Sequence, residues 1–246
     1  MAHMYLDETI ANSAPGTRHV LVGSEGRHAS TVARLRVGEA VRLGNGRGLV
    51  LETAVESVER DSVTLCVANV SEIPARTPRL ILAQALAKTD RDERAVEASV
   101  EVGVDGIVPW QADRSVSRWD SARAQKGRAK WQNIAREAAK QSLAAWIPEV
   151  EDVCSTAQLV ARANTRWVVL DASGEPLSAL PWSEWSTQPQ DTLLIVGPEG
   201  GFSAGDMGDL VAAGARIARL GPQILRTSTA GPVAVALASE AMGRWA

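Results

Sequence analysis

A chain of 246 residues, 45% of them apolar, can hold one large domain, or a small domain joined to a medium one. Its formal charge of −3, from 26 Lys and Arg against 29 Asp and Glu, excludes a surface coated throughout by nucleic acid, so any such contact must come from a local basic patch. Cys66 and Cys154 are distant and form no CxxC, which suggests neither a zinc site nor a disulfide framework. With no signal peptide and no apolar run near the length of a membrane span, a soluble cytoplasmic protein with reduced thiols is expected.

The first third reads as short strands. His19 to Gly23 alternates, and His28 to Arg36 reads as a short helix with Val32 and Leu35 on its inner face. Glu39 to Leu43 leads into Gly44-Asn45-Gly46, a strong tight-turn sequence. Leu49 to Val58 and Val63 to Val70 follow, split by Arg60-Asp61-Ser62. A small β-barrel with one helix is the simplest architecture, and an OB-like barrel fits these residues equally well. The stretch Ser71 to Arg79, with two Pro and no apolar period, marks a seam, so domains of 1–74 and 75–246 are expected. All eight Trp lie at Trp110 or later, and all three His (His3, His19, His28) lie in the first thirty residues, an asymmetry that suggests two cores of different composition.

Beyond the seam, strands alternate with helices. Leu80 to Leu86 reads as a strand, Arg91 to Val102 as a helix closed by Gly103, Ile107 to Pro109 as a strand and Arg123 to Ala145 as a long helix. Trp167 to Leu170 is the next strand, and Ser173 to Pro189 reads as a loop-rich insertion. Such alternation predicts a mostly parallel sheet covered by helices. Asp113 to Lys140 carries Arg114, Arg118, Arg123, Lys126, Arg128, Lys130, Arg136 and Lys140 against Asp113, Asp120 and Glu137. It is the best candidate for a phosphate-binding surface, or else a solvated helix face. Trp131 falls in helical register with Ile134 and Ala138 and reads as core; Trp119 is less determined.

The informative segments come last. Leu193 to Val196 is an unbroken apolar run, the pattern of a strand buried on both faces, and it stops at Gly197-Pro198-Glu199-Gly200-Gly201. Ser203 then opens a helix, with Asp206 as a capping-box-like partner. Ala215 to Leu220 reads as a strand, Gly221-Pro222 breaks it, and Thr227 to Arg244 reads as a terminal helix apolar nearly all round, which must be covered on most sides. Two glycine loops leaving two adjacent strands at the carboxyl edge of a sheet can form a pocket for one small ligand; on spacing alone they are equally ordinary βα turns. Neither loop matches GxGxxG or GxxxxGK[ST], and no HExxH or His/Cys cluster suggests a metal.

GPEGGFS followed by LGPQILRTSTA resembles the paired cofactor loops of the SPOUT methyltransferases, and more narrowly the bacterial family that methylates N3 of a uridine in small-subunit (16S) ribosomal RNA. The resemblance covers nearly the whole chain. It implies an N-terminal PUA-like RNA-binding barrel, to which HASTVARLRVGE is similar, and a C-terminal α/β domain with a deep trefoil knot. It implies S-adenosylmethionine as methyl donor and a homodimer whose terminal helix packs on its mate, with neither metal nor membrane involved. Arg114-Ser115, Glu137-Ala138-Ala139-Lys140-Gln141 and Ile147-Pro148 match the family's basic segment, but the run from Ser142 to Trp146 lacks the family's Arg. Ser228 stands where family members usually carry Glu.

On that resemblance the donor contacts fall to Leu170, Gly197, Pro198, Glu199, Gly200, Gly201, Leu220, Gly221, Ile224, Leu225 and Thr227, with the leucines and Ile224 walling the adenine. Glu199 is alternatively a cap for backbone amides. Lys88, Arg94, Arg114, Arg118, Arg123, Lys126 and Arg128 are the candidate RNA contacts. The segment beyond the seam has no His, so Arg226 is the candidate catalytic residue, its guanidinium stabilising a developing imide anion or else bracing the loop. The alternatives are a SPOUT enzyme acting on ribose or on transfer RNA, and a non-catalytic RNA-binding assembly factor.

Overall fold

The computed structural model describes residues 4–245, so His3 lies outside the described residues. The chain divides into two compact units, one comprising the residues up to Ala75 with Ala139–Ile147, the other Arg76–Ala138 with the residues from Pro148 onward.

In the first unit, β1 (Met4–Leu6), β2 (Arg18–Leu21), β3 (Ala40–Gly44), β4 (Leu49–Glu59) and β5 (Ser62–Glu72) form one five-stranded sheet in the order β1-β3-β4-β5-β2. β1 lies parallel to β3 and every other pairing is antiparallel. Among the described residues the end strands β1 and β2 are not hydrogen-bonded to each other, so backbone pairing there does not close the expected barrel. One apolar cluster gathers residues from all five strands, among them Tyr5, Leu21, Leu43, Leu51 and Leu65. β1, too short to show a period, was not expected from the sequence.

The helix also differs from expectation. It begins at Gly23, as α1 (Gly23–Arg27), and continues as a π-turn over His28–Val32. A Cβ on Gly26 would stand 2.6 Å from the Leu21 carbonyl oxygen and 2.4 Å from that of Asp61, so glycine alone lets the helix approach this closely. The i→i+5 bond from Ala33 N–H to His28 carbonyl (2.8 Å) turns the helix off its 3.6-residue period. Leu35 is accordingly buried, but Val32 points out, 67% exposed.

Residues 139–147 are tied into this unit by Ala145, Trp146 and Ile147. Gly48 N–H donates to the Ala145 carbonyl (2.9 Å), Ile147 N–H to Gly46 (3.0 Å) and the Trp146 indole to Ile73 (2.8 Å). Lys140 is buried against Glu25 (2.9 Å), its ammonium 5.5 Å from the centre of the Tyr5 ring.

The second unit contains β6 (Leu80–Ala85), α2 (Arg91–Glu101), β7 (Gly106–Trp110), most of α3 (Ser121–Gln141), β8 (Glu149–Val150), α4 (Thr156–Val160), β9 (Thr165–Pro176), α5 (Trp182–Trp185), β10 (Asp191–Val196), α6 (Ala204–Ala212), β11 (Arg216–Arg219) and α7 (Thr227–Ala241). Its six strands run parallel in the order β11-β9-β10-β6-β7-β8. The central β6 is buried throughout and β10 all but its first residue, as continuous apolar runs in a doubly covered sheet should be. The chain leaves β6 toward β7 and leaves β10 toward β11, so the two connections part at the β6–β10 boundary, the switch point where such sheets open at their carboxyl edge.

Three expectations need correction here. The strands carrying the glycine loops, β10 and β11, are not adjacent, because β9 lies between them. The long helix stops at Gln141 rather than Ala145, with Leu143 in the left-handed region (φ 59°). The loop-rich insertion is largely ordered: β9 runs on to Pro176, and Trp182 and Trp185 are buried edge to face at 5.2 Å.

Candidate functional site

The first glycine loop leaves β10 at the switch point. Pro198 is buried, Gly201 N–H closes a turn onto the Pro198 carbonyl (2.9 Å), and Gly201 takes a φ of 69° that disfavours a side chain. Ser203 caps α6, its hydroxyl accepting from Asp206 N–H (2.9 Å). The reciprocal half of a capping box is missing, because the buried Asp206 carboxylate accepts instead from Asp113 N–H (3.1 Å) and from the Thr156 hydroxyl. Ser203 also donates to Asp113 (2.8 Å), so the loop after β7 is fastened to the start of α6.

The second loop, between β11 and α7, is joined to the first by one side chain. Thr227 Oγ1 donates to the Gly197 carbonyl (3.0 Å) and accepts from Gln84 Nε2 (2.9 Å). Gln84 is fully buried near the end of β6, and its Oε1 has no partner among the described residues. Sequence reasoning missed it, although a lone polar side chain inside the apolar run LILAQAL was a visible signal.

Beside this joint lies a cleft lined by Leu170, Asp171, Leu220, Gly221, Ile224 and Leu225, with Ala218 and Ala230 behind. Its far wall is made by an irregularity in β9. β11 pairs with Val168 and Val169, then its register jumps to Glu175 and Pro176, so the intervening residues bow outward. Gly174 permits this, because a Cβ there would stand 2.4 Å from the backbone of Ile217. The bow presents Asp171, an acidic lining residue that spacing did not suggest. Aliphatic walls around bare main chain suit a flat heteroaromatic group held by backbone hydrogen bonds.

Five of the expected donor contacts therefore line one cleft: Leu170, Leu220, Gly221, Ile224 and Leu225, with Ile224 88% exposed. Thr227 and Gly197 form the joint next to it. Glu199 and Gly200 engage the neighbouring loops instead. The Glu199 carboxylate accepts from Lys88 N–H (3.1 Å) and pairs with Arg91 (3.3 Å), so it caps one amide of another loop rather than those of its own. The Gly200 carbonyl accepts from Arg114 Nη1 (3.1 Å). Arg226 is exposed at the N-cap of α7, its carbonyl accepting from Thr229 and Ala230 N–H (2.8 and 2.9 Å) and its guanidinium unpartnered among the described residues.

The cations divide into free and committed groups. The ammonium groups of Lys88 and Lys126 are exposed and unpartnered among the described residues. Arg118 donates to the Asp113 carbonyl (2.9 Å), and Arg94 and Arg123 make exposed pairs with Asp90 (2.8 Å) and Asp120 (3.8 Å) that water can open. Arg128 is a brace, donating to the Val150 carbonyl (2.7 Å) between Glu149 and Asp152. Lys130 pairs with Glu93 (2.5 Å) and Arg136 with Glu137 (2.7 Å). Trp131 is core, and Trp119 packs edge-on to it at 5.2 Å, lying over Gly127. Among the described residues no group of His, Cys, Asp and Glu could hold a metal ion, and no helix is long and apolar enough to cross a membrane.

Residues 75–239 match the model of an RNA methyltransferase domain, and residues 21–65 that of an RNA methyltransferase PUA domain. The ribosomal RNA small subunit methyltransferase E of Mycobacterium bovis is 36% identical, aligned over 100% of this chain and 94% of its own length. That of Bacillus subtilis is 30% identical over 85% of each. A methyltransferase of Legionella pneumophila, solved in complex with S-adenosylmethionine, superposes with a TM-score of 0.84 at 29% identity over 98% of both chains. The small subunit methyltransferase E of Neisseria gonorrhoeae gives the same TM-score at 24% identity and shares the fold.

Proposed function

The chain belongs to the RNA methyltransferase family, and from that premise we propose that it transfers a methyl group from S-adenosylmethionine to N3 of a uridine in 16S ribosomal RNA, in the cytoplasm. The observation that carries this reading is the joint between Thr227 and Gly197, which brings two loops from non-adjacent strands together beside an aliphatic cleft. The cleft fits the donor: Leu170, Leu220 and Leu225 wall the adenine, loop backbone bonds its edge, and Asp171 is the acid at hand for a hydroxyl or ammonium group. When bound, the donor supplies an electrophilic methyl on sulfur.

The rest of the chemistry is positioning and charge. Methyl transfer to a ring nitrogen needs in-line approach and loss of the imide proton. Glu199 is paired with Arg91, and no His follows His28, so this chain stabilises the imide anion rather than supplying an imidazole base. Arg226, whose guanidinium has no partner among the described residues, places it against that anion where the second loop enters α7, and the proton passes to water. Lys88, Arg114, Arg118, Arg123 and Lys126 hold phosphates in the loops after β6 and β7 and at the start of α3, the PUA-like unit, residues 1–74, also binds RNA, and residues 75–246 are the methyltransferase domain. That domain carries the SPOUT knot; the insertion of β10 between β9 and β6, strands that precede it, supports this topology. A second copy covers α7, whose Leu237 is 47% exposed.

The test is to incubate the protein with unmodified 16S RNA and labelled S-adenosylmethionine, then digest to nucleosides. Labelled 3-methyluridine is expected. Label on a ribose or only on transfer RNA replaces the substrate assignment, and absence of donor binding by calorimetry leaves a non-catalytic assembly factor.

A further inference from the structure

The carboxyl edge of the parallel sheet is divided. The donor cleft occupies the β9 and β11 side, and the exposed cations follow β6 and β7 on the other. The loop after β10 stands between them and touches both. Toward the cleft, the Gly197 carbonyl receives the Thr227 hydroxyl. Toward the cations, Glu199 receives Lys88 N–H and Arg91, and the Gly200 carbonyl receives Arg114. The next turn continues the connection, since Ser203 and Asp206 hold both side chain and backbone of Asp113, whose carbonyl in turn holds Arg118.

We propose that Glu199 is a positioning residue that couples donor occupancy to RNA affinity, by clamping the cationic loop after β6 onto the glycine loop. This rests on the donor and RNA reading given above. The physical basis is that these loops are exposed and are held to one another by hydrogen bonds rather than by buried side chains. Gly201 takes a φ of 69°, Thr89 takes a φ of 63° that is unfavourable for a β-branched residue, and Lys88 and Thr89 are exposed. A donor that orders the glycine loop fixes the Glu199 carboxylate, and with it the backbone of Lys88 and the guanidinium of Arg91. RNA binding to cations already placed then loses less conformational freedom. Linkage is reciprocal, so RNA must tighten the donor by the same factor. Glu199 thus acts on the reaction through its neighbours and touches neither the methyl group nor the base.

The experiment measures the dissociation constant of unmodified 16S RNA with and without saturating S-adenosylhomocysteine, which occupies the donor site without transferring a methyl group. In the wild type the ratio is expected to be at least about fivefold. In Glu199→Ala it falls to about one, whatever happens to either constant alone. Glu199→Gln, which keeps an acceptor for Lys88 N–H but loses the charge facing Arg91, gives an intermediate ratio. Should the alanine variant fail to fold, the glutamine variant decides, and its ratio must be at most half that of the wild type. A wild-type ratio of one in an enzyme that methylates RNA, or an unchanged ratio in the folded variant, overturns the coupling while leaving the enzyme reading intact. Absence of donor binding or methyl transfer in the wild type removes both.

Discussion

Tyr5 is the only tyrosine of the chain, fully buried, with a hydroxyl that has no hydrogen-bond partner among the described residues. Burial, aided by Glu25 and Glu39, pushes its pKa from 10.0 up to about 12. Between these values the folded chain keeps a proton that the unfolded chain has lost, so the contribution to stability is complete below pH 10 and falls as pH rises toward 12. Tyrosinate absorbance of the native protein is therefore expected near pH 12, and Tyr5→Phe should remove this loss at little or no cost at neutral pH, where it deletes an unsatisfied donor. Cys154 is held up to about 11, mainly by burial, and should resist alkylation at pH 8 until the chain is denatured. At the site, Thr227→Val leaves the buried Gln84 amide and the Gly197 carbonyl without their common partner. A loss of about 1–3 kcal/mol and weaker donor binding should follow, with both restored by Thr227→Ser. Arg226→Ala should lower methyl transfer on the order of a hundredfold while changing donor affinity far less, read by separate rate and calorimetric measurements.

At the scale of elements, the ends of the helices show what residue patterns reveal and what they hide. α2, α6 and α7 each close on a left-handed glycine, Gly103, Gly214 and Gly243, with the following N–H reaching back five residues, as in Val104 to Ser99 (3.0 Å). The first of these stops was read from the sequence; the third was read through, which set the end of α7 too late. α3 closes by the same two bonds, Leu143 to Lys140 (3.3 Å) and Ala144 to Ala139 (2.8 Å), but its left-handed residue is Leu143. With no glycine to announce it, the helix was expected to run on to Ala145. A leucine in this region is strained by roughly 1–2 kcal/mol. Leu143→Gly should therefore melt at or above the wild type, and Leu143→Val below it by about 1 kcal/mol or more, measured by thermal unfolding. The bow in β9 was hidden for a related reason: Gly174 is informative only once Ile217 is known to lie against it.

Across the whole molecule, ligand binding should report on the second unit as a body. Donor at one hundred times its dissociation constant adds about 2.7 kcal/mol to that unit, visible as a raised melting temperature. Gly221→Val, in the lining of the cleft, should abolish the shift and leave the melting temperature without donor little changed, because a Cβ at Gly221 meets only Gln223 Oε1, at 3.7 Å. The chain's order of strands and helices and the glycine loops were legible because each is written in local terms: apolar period, proline and glycine punctuation, and capping residues. The spatial order of the strands was not, since β10 enters between two earlier strands and no local pattern encodes a neighbour in a parallel sheet. The same holds for the partners of Glu199, Arg128 and Lys140, whose charges look alike along the chain and are committed or free according to what folding brings beside them. Sequence alone determined where the two glycine loops fall, because glycine and apolar runs act through the backbone of their own turn. Only tertiary structure decided how those segments are joined, because a hydrogen bond from Thr227 to Gly197 spans thirty residues of chain and exists only when both loops reach the same edge.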